Sequence, residues 1–223
     1  MFFNMIPPSF ITEFNGIWLL SGDTYIHPAV KECGQLNWDR IFQSVLDKII
    51  EPGRNGTVVD VGAFVGDTTA WFSSTFKCVS FEPQRDAFAC LVHNIPEAVH
   101  FPFPAGNGES VDLETQGNVE GNLGARGVQP GSHCVTIRID DLGLQDVVLI
   151  KIDAEGWEPN VLEGARETIQ RCRPVVVAEI NLGPLKARGF SASDVEKHFT
   201  DWEQTVIYRH LEEQWDVMFI PKP

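Results

Sequence analysis

From Thr57 onward the chain alternates short β-rich apolar runs with stretches whose apolar residues recur every three or four positions. That alternation predicts a parallel sheet wrapped by helices. Strands are expected at Thr57 to Val61, Cys78 to Glu82, Val99 to Phe101, Val147 to Asp153 and Val175 to Ile180. Helices are expected at about Thr68 to Ser74, Asp86 to Asn94, Pro159 to Arg171 and Ser193 to Phe199. The helix from Pro159 is the best signalled, because Pro suits the first helical position and Val161, Leu162, Ala165 and Ile169 make one face. Thr205 to Tyr208 and Gln214 to Ile220, around the polar turn HLEE, read as a closing antiparallel hairpin.

The flanks are less regular. Residues 1 to 36 lack a clean period and read as an arm with a short strand around Ile17 to Leu20. From Trp38, apolar residues at helical spacing run to Ile50, where Pro52 and Gly53 end the pattern. Between Gly106 and Ser132 the composition shifts to Gly, Asn, Gln and Glu, which predicts a polar insertion lying as a loop over the sheet edge. The expected organisation is one domain over residues 1–223, with an N-terminal arm and helix in 1–54, a Rossmann-like core in 55–223 and the insertion at about 106–132.

An apolar fraction of 43% and a charged fraction of 22% are ordinary for a globular domain and change nothing. The charge balance does. Against 31 Asp and Glu stand 17 Lys and Arg, a formal net charge of −14 that argues against nucleic acid as a partner. Five scattered cysteines without a CxxC pair argue against a disulfide framework or a zinc knuckle and point to a reducing compartment. The N-terminus lacks a basic segment, Pro7 and Pro8 interrupt its apolar character, and no run reaches the roughly 20 apolar residues a membrane span needs. A cytoplasmic location is expected, and the oligomeric state is left open.

Candidate chemistry gathers first at VVDVGAFVGDTT, Val58 to Thr69, at the end of the first core strand. Ligands of open parallel sheets bind beyond such strand ends, where the strand order reverses. A GxGxxG dinucleotide fingerprint starting at Gly62 would need glycine at 64 and 67, and Phe64 and Asp67 would crowd and repel a pyrophosphate. A phosphate-free cofactor with a cationic amino-acid end would instead suit Asp60 and Asp67. Glu82, twenty residues after Gly62 in CVSFEP, is placed to accept the hydroxyls of a ribose. S-adenosyl-L-methionine meets both demands.

VVDVGAFVGDTT, FEPQRDAFACLVHN, TIRIDDL, VLIKIDAEGWEPNVLEGA and RPVVVAEIN, in that order, resemble the FkbM family of S-adenosylmethionine-dependent methyltransferases across residues 57 to 181. The resemblance implies a class I methyltransferase fold, α/β with a mostly parallel sheet, a C-terminal antiparallel hairpin and helices on both faces. It also implies that Asp60, Gly62, Ala63 and Gly66 line the methionine part of the cofactor while Glu82 holds the ribose. Similar proteins O-methylate hydroxyls of sugars, glycans or natural products. The arm and the 106 to 132 insertion depart from the family pattern, so the acceptor is left open.

A second group of candidates lies in VLIKIDAEGWEP. Lys151 and Asp153 share a strand face, with Glu155 and Glu158 beyond the strand end. Lys151 is expected to pair with a carboxylate, since a buried ammonium is costly otherwise. An acceptor hydroxyl must lose its proton either to a carboxylate or His, or to a divalent metal that acidifies it. Asp153 ends one strand, and Glu179 with Asn181 ends the next, a set of oxygen ligands suited to Mg²⁺ or Mn²⁺. The plainer alternative makes Glu158 a helix cap and Glu179 a partner of Lys151. His27, beside Tyr25 and Asp23 in the arm, is a candidate base; His93, in a helical run, reads as packed or surface. Two other functions stay in view: a non-catalytic binding module on the same fold, and a metal-dependent hydrolase using Asp153 and Glu155. The latter leaves the glycine turn and Glu82 without a role.

Overall fold

The structure, a computed structural model, describes residues 9–37, 55–114 and 120–223, with Phe42, Val45 and Asp47. In the arm, β1 (Ile11–Phe14) and β2 (Ile17–Leu20) form an antiparallel hairpin, and a helix follows at Ile26–Cys33. Only β2 was expected there. The reversal uses Asn15 and Gly16, at φ 53° and 83°, a left-handed pair suited to a tight hairpin. The helix expected from Trp38 to Ile50 lies outside the described residues, except that Phe42, Val45 and Asp47 are helical.

The core strands follow in chain order as β3 (Thr57–Val61), β4 (Lys77–Phe81) and β5 (Val99–Phe101). The insertion then contributes β6 (Ser110–Leu113) and β7 (Val128–Pro130), and β8 (Cys134–Val135) follows directly after it. After it come β9 (Val147–Ile152), β10 (Val175–Asn181), β11 (Trp202–Leu211) and β12 (Gln214–Pro221). Seven of these make one sheet in the order β11-β12-β10-β9-β3-β4-β5. The strands β5, β4, β3, β9 and β10 are parallel, and β12 runs antiparallel to both β10 and β11. This is the expected α/β class with its closing hairpin. Chain order runs outward from β3 in one direction to β4 and β5, and β9 returns on its other side. The crevice between the ends of β3 and β9 is therefore the switch point of the sheet.

Both faces of the sheet are covered, which explains why the core strands read as continuous apolar runs rather than alternating ones. Val59, Val61, Ile150 and Ile152 join one buried cluster with Val161, Leu162, Phe199 and Phe219. Their neighbours Val58 and Leu149 turn to the other face, against Phe72, Val177 and Met218. A third cluster packs the arm, through Leu19 and Val30, onto Ala63, Val65 and Leu91. The arm thereby becomes a wall of the turn after β3.

Two expectations, one about a core helix and one about the insertion, are corrected. The helix read as Pro159 to Arg171 is two pieces, Glu158–Gly164 and Arg166–Cys172, meeting at Ala165 with φ −110° and ψ 3°. Gly106 packs against the end of the first piece: a Cβ on Gly164 would sit 1.8 Å from the carbonyl oxygen of Gly106. The insertion is no simple loop, since β7, β6 and β8 form a three-stranded antiparallel sheet. Its polar character comes from edge strands with one exposed face. No helix among the described residues is long and apolar enough to cross a membrane.

Candidate functional site

The turn after β3 is shaped by what lies beneath it. Gly62 has φ 76°, and a Cβ there would stand 1.8 Å from the carbonyl oxygen of Asp153 at the end of β9. Glycine is required because two strand ends meet without room for a side chain. The amides of Gly62 and Ala63 both donate to Phe81 O, at 3.0 and 3.1 Å, tying the turn to β4. Phe64 follows with φ 46°, a left-handed conformation that a non-glycine residue adopts only when its surroundings impose it.

Glu82 imposes it. Its Oε2 accepts the Phe64 amide at 2.8 Å and its Oε1 accepts the Gln84 amide at 2.7 Å. Each carboxylate oxygen accepts about two hydrogen bonds, so both retain capacity toward a ligand. Burial pushes the Glu82 carboxyl up to about 7, against the pull of those two amides.

Lys151 lies under the same turn, buried on β9. Its Nζ donates to Gly62 O at 2.9 Å and stands 3.4 Å from Asp60 Oδ1 and 3.6 Å from Asp153 Oδ2. Asp60 is fully buried and also accepts from Thr69 Oγ1 at 2.7 Å. Burial alone would lower the Lys151 pKa, but the nearby Asp60 and Asp153 outweigh it and hold the ammonium charged. Lys151 is therefore ion-paired as expected, with Asp60 and Asp153 rather than Glu179 as partners.

The cavity at the switch point has a volume of about 490 Å³. Gly62, Asp67, Glu82, Asp153, Glu179 and Asn181 all line it. Asp60, Ala63 and Gly66 stand behind that wall: Gly66, at φ 96°, faces Ile95 and Leu91, where a Cβ would be 3.0 and 3.1 Å from their side chains. His27 is not brought to the cavity either; its helix presents Tyr25 and Ile26, and burial lowers the His27 pKa. His93, in the helix Arg85–Asn94, stacks on Trp18 of the arm with ring centroids 4.0 Å apart, a packing role.

On the β9 and β10 side the acids crowd. One oxygen each of Asp153, Glu155 and Glu179 lies within 4.8 Å of the others. Glu179 Oε1 accepts from Gln214 Nε2 at 2.7 Å, while its buried Oε2 has no hydrogen-bond partner among the described residues. Burial, then Asp153 and Glu155, raise the Glu179 pKa well above the usual carboxylate range. Glu158 caps the turn before its helix, accepting from Ala154 N at 2.9 Å and Gly156 N at 3.0 Å, as its plainer reading held. Asp67, enclosed near the glycine turn, is pushed up by burial to about 7.

Several lining residues escaped the sequence reading: Trp157, Arg126, Tyr208 and His210 among them. His210 Nε2 bonds Asp216 Oδ2 at 2.8 Å across the closing hairpin. The hairpin was legible, but nothing local says that its tip folds back over the ends of β9 and β10. Glu155, seen only as a residue beyond the strand end, completes the carboxylate group that Asp153 and Glu179 begin.

An α/β sheet of this order, with an acid-lined cavity at its switch point and a carboxylate bonded into the glycine turn, defines the class I methyltransferase architecture. Residues 60–211, more than half of the chain, match the Methyltransferase FkbM domain. The chain belongs to that family. Its fold is similar to the crystal structure of methyltransferase FkbM from Methylobacillus flagellatus KT, with a TM-score of 0.52 and 17% identity. That match covers 74% of this chain and 44% of the other, so the chain spans less than half of that protein's length. An rRNA methylase from Streptococcus thermophilus is also similar, with a TM-score of 0.50 and 13% identity over 81% of this chain and 93% of that one. No curated protein matches the sequence.

Proposed function

We propose that the chain binds S-adenosyl-L-methionine in the switch-point cavity and transfers its methyl group to a hydroxyl of a sugar, glycan or small natural product. The observation that carries this reading is Glu82: a buried carboxylate, fixed by two amides, that keeps acceptor capacity on both oxygens toward the cavity. A vicinal diol offers two matching donors. Gly62 and Asp67 would flank the amino-acid end, with Asp60, Ala63 and Gly66 shaping the turn from behind. The bound cofactor would supply an electrophilic methyl group, and the chain's own task is then positioning and proton removal.

Asp153 is the residue proposed to take the acceptor proton, because it ends the central strand β9 and faces the cavity beside Lys151. A second arrangement is favoured by the crowding of Asp153, Glu155 and Glu179, whose ligand oxygens lie within 4.8 Å of one another. A divalent cation such as Mg²⁺ or Mn²⁺ held there, with Asn181 at the same wall, would relieve the repulsion and lower the pKa of an acceptor hydroxyl. The net charge of −14 and the acid-rich lining favour a neutral or cationic acceptor over nucleic acid.

The test is methyl-donor turnover across a panel of sugars, glycans and hydroxylated small molecules, with and without chelator. Product with a new methyl ether is expected. Asp153→Asn is expected to lower turnover by about a hundredfold or more, the range for loss of a general base, while product-cofactor affinity changes little. Activity that survives chelator but not Asp153→Asn makes Asp153 a base. Loss under chelator, reproduced by Glu179→Gln, makes the cluster a cation site. Tight cofactor binding with no turnover on any acceptor would favour a binding module, and hydrolysis indifferent to S-adenosylmethionine would favour a metal hydrolase.

A further inference from the structure

The insertion returns to the cavity through residues 120–128, a strap tied down at both ends. Near the arm, Thr24 N donates to Gly121 O at 2.9 Å and Leu123 N to Asp23 Oδ2 at 3.1 Å. At the far end, Gly127 N donates to Glu114 Oε2 at 3.1 Å and Arg188 Nε to Val128 O at 2.8 Å. Between these anchors the strap packs on both halves of the site. A Cβ on Gly124 would lie 3.6 Å from the Phe64 ring, and one on Gly127 would lie 3.0 Å from Glu155 O. Arg126 sits between those two contacts and lines the cavity.

The guanidinium of Arg126 is unspent. Among the described residues its buried Nε has no hydrogen-bond partner and Arg126 forms no ion pair. The other basic groups on the wall are committed: Lys151 to Gly62 O, Asp60 and Asp153, and His210 to Asp216. A buried donor of this strength without a partner costs free energy unless a ligand supplies an acceptor.

We propose that Arg126 receives the carboxylate of the amino-acid end of the cofactor, an assignment that rests on the S-adenosylmethionine reading above. That end is a zwitterion. Its ammonium and the adjacent sulfonium suit Asp67 and Asp153, whereas its carboxylate would be repelled by the lining acids Asp67, Glu82, Asp153, Glu155 and Glu179 and finds its uncommitted cation, among the described residues, at Arg126. A planar guanidinium fork matches a carboxylate with two parallel hydrogen bonds, which a lysine in its place would not reproduce. The strap thus joins the cofactor site to the polar insertion.

Calorimetry with S-adenosylhomocysteine and with 5′-methylthioadenosine, the same nucleoside thioether without the amino-acid end, tests the assignment. Arg126→Met is expected to weaken S-adenosylhomocysteine by about 10- to 100-fold, the range for hydrogen bonds to a charged group, and to leave 5′-methylthioadenosine within about twofold on the same scale. Arg126→Lys should recover only part of the loss. Unchanged S-adenosylhomocysteine affinity in Arg126→Met overturns the proposal, and so does an equal loss for both compounds, which would mark a collapsed strap. Wild-type protein that binds neither compound overturns the cofactor reading itself and this assignment with it.

Discussion

Phe64 and Glu82 are joined beyond the carboxyl ends of two neighbouring strands, the amide of one donating to Oε2 of the other at 2.8 Å. The bond links the turn after β3 to the end of β4, so one carboxylate both orders the turn and faces the cavity. Removing it has two separable consequences. Glu82→Ala should weaken S-adenosylhomocysteine by about 1.5–3 kcal/mol, the range for hydrogen bonds to a charged group, by calorimetry. Glu82→Gln keeps one acceptor oxygen and should lose less. An alanine variant that remains folded and binds normally would remove Glu82 from the cofactor site.

Gly62 should not tolerate even a methyl group. Gly62→Ala combines a positive φ with a Cβ placed 1.8 Å from the Asp153 carbonyl oxygen. The expected destabilisation is at least about 2 kcal/mol, from backbone strain and overpacking together, read as a lowered midpoint in urea. The simpler expectation, that a side chain here only blocks ligand space, predicts unchanged stability. Equal midpoints would restore that view.

Lys151 and Asp60 form a buried pair, and breaking it from one side should be costly. Lys151→Met leaves the Asp60 carboxylate uncompensated and should cost about 3–5 kcal/mol. Adding Asp60→Asn should return part of that loss. A double variant no more stable than Lys151→Met would mean that the hydrogen bond to Gly62 O, rather than the ion pair, carries the stabilisation.

Glu158 should make stability fall as pH rises. Burial lifts its pKa from 4.5 to about 7 in the folded chain. An acid whose folded pKa is raised contributes stability that is fully present below the unfolded value and is lost as pH climbs through the folded one. The window therefore runs from about pH 4.5 to about pH 7. Glu158→Gln keeps an acceptor for the Ala154 and Gly156 amides and removes the titration. Relative to wild type it should gain a few degrees of melting temperature at pH 8, at roughly 2–4 °C per kcal/mol for a chain of this size, and gain nothing at pH 4.5. A gain independent of pH would place the effect elsewhere.

Local sequence determined the frame. The runs at Thr57, Cys78, Val147 and Val175 are apolar on both faces because each strand is covered on both sides, and that shows in consecutive residues. VVDVGAFVGDTT declares a strand, a tight turn and a helix start, because the demand for glycine at a left-handed turn is a property of the backbone itself. Glu82 and Asp153 were found by their distance from that turn and by their places at strand ends.

Tertiary structure decided which side of each residue matters. Asp60 and Gly66 lie within the same motif as Gly62, yet they face the core, because Lys151 reaches up from β9 and the helix Arg85–Asn94 packs from outside. His27 was the histidine singled out in the sequence, yet the fold brings His210, read there only as part of a polar turn, to the cavity instead. The helix that periodicity reads as continuous breaks at Ala165, beside Gly164, which must be glycine because Gly106, far away in the chain, lies against it. Arg126 is one cation in a polar insertion until the strap is anchored by Asp23, Glu114 and Arg188. Periodicity and turn chemistry act between near neighbours and are written in consecutive residues. Contacts between segments a hundred residues apart are set by packing the whole chain, so no local pattern records them.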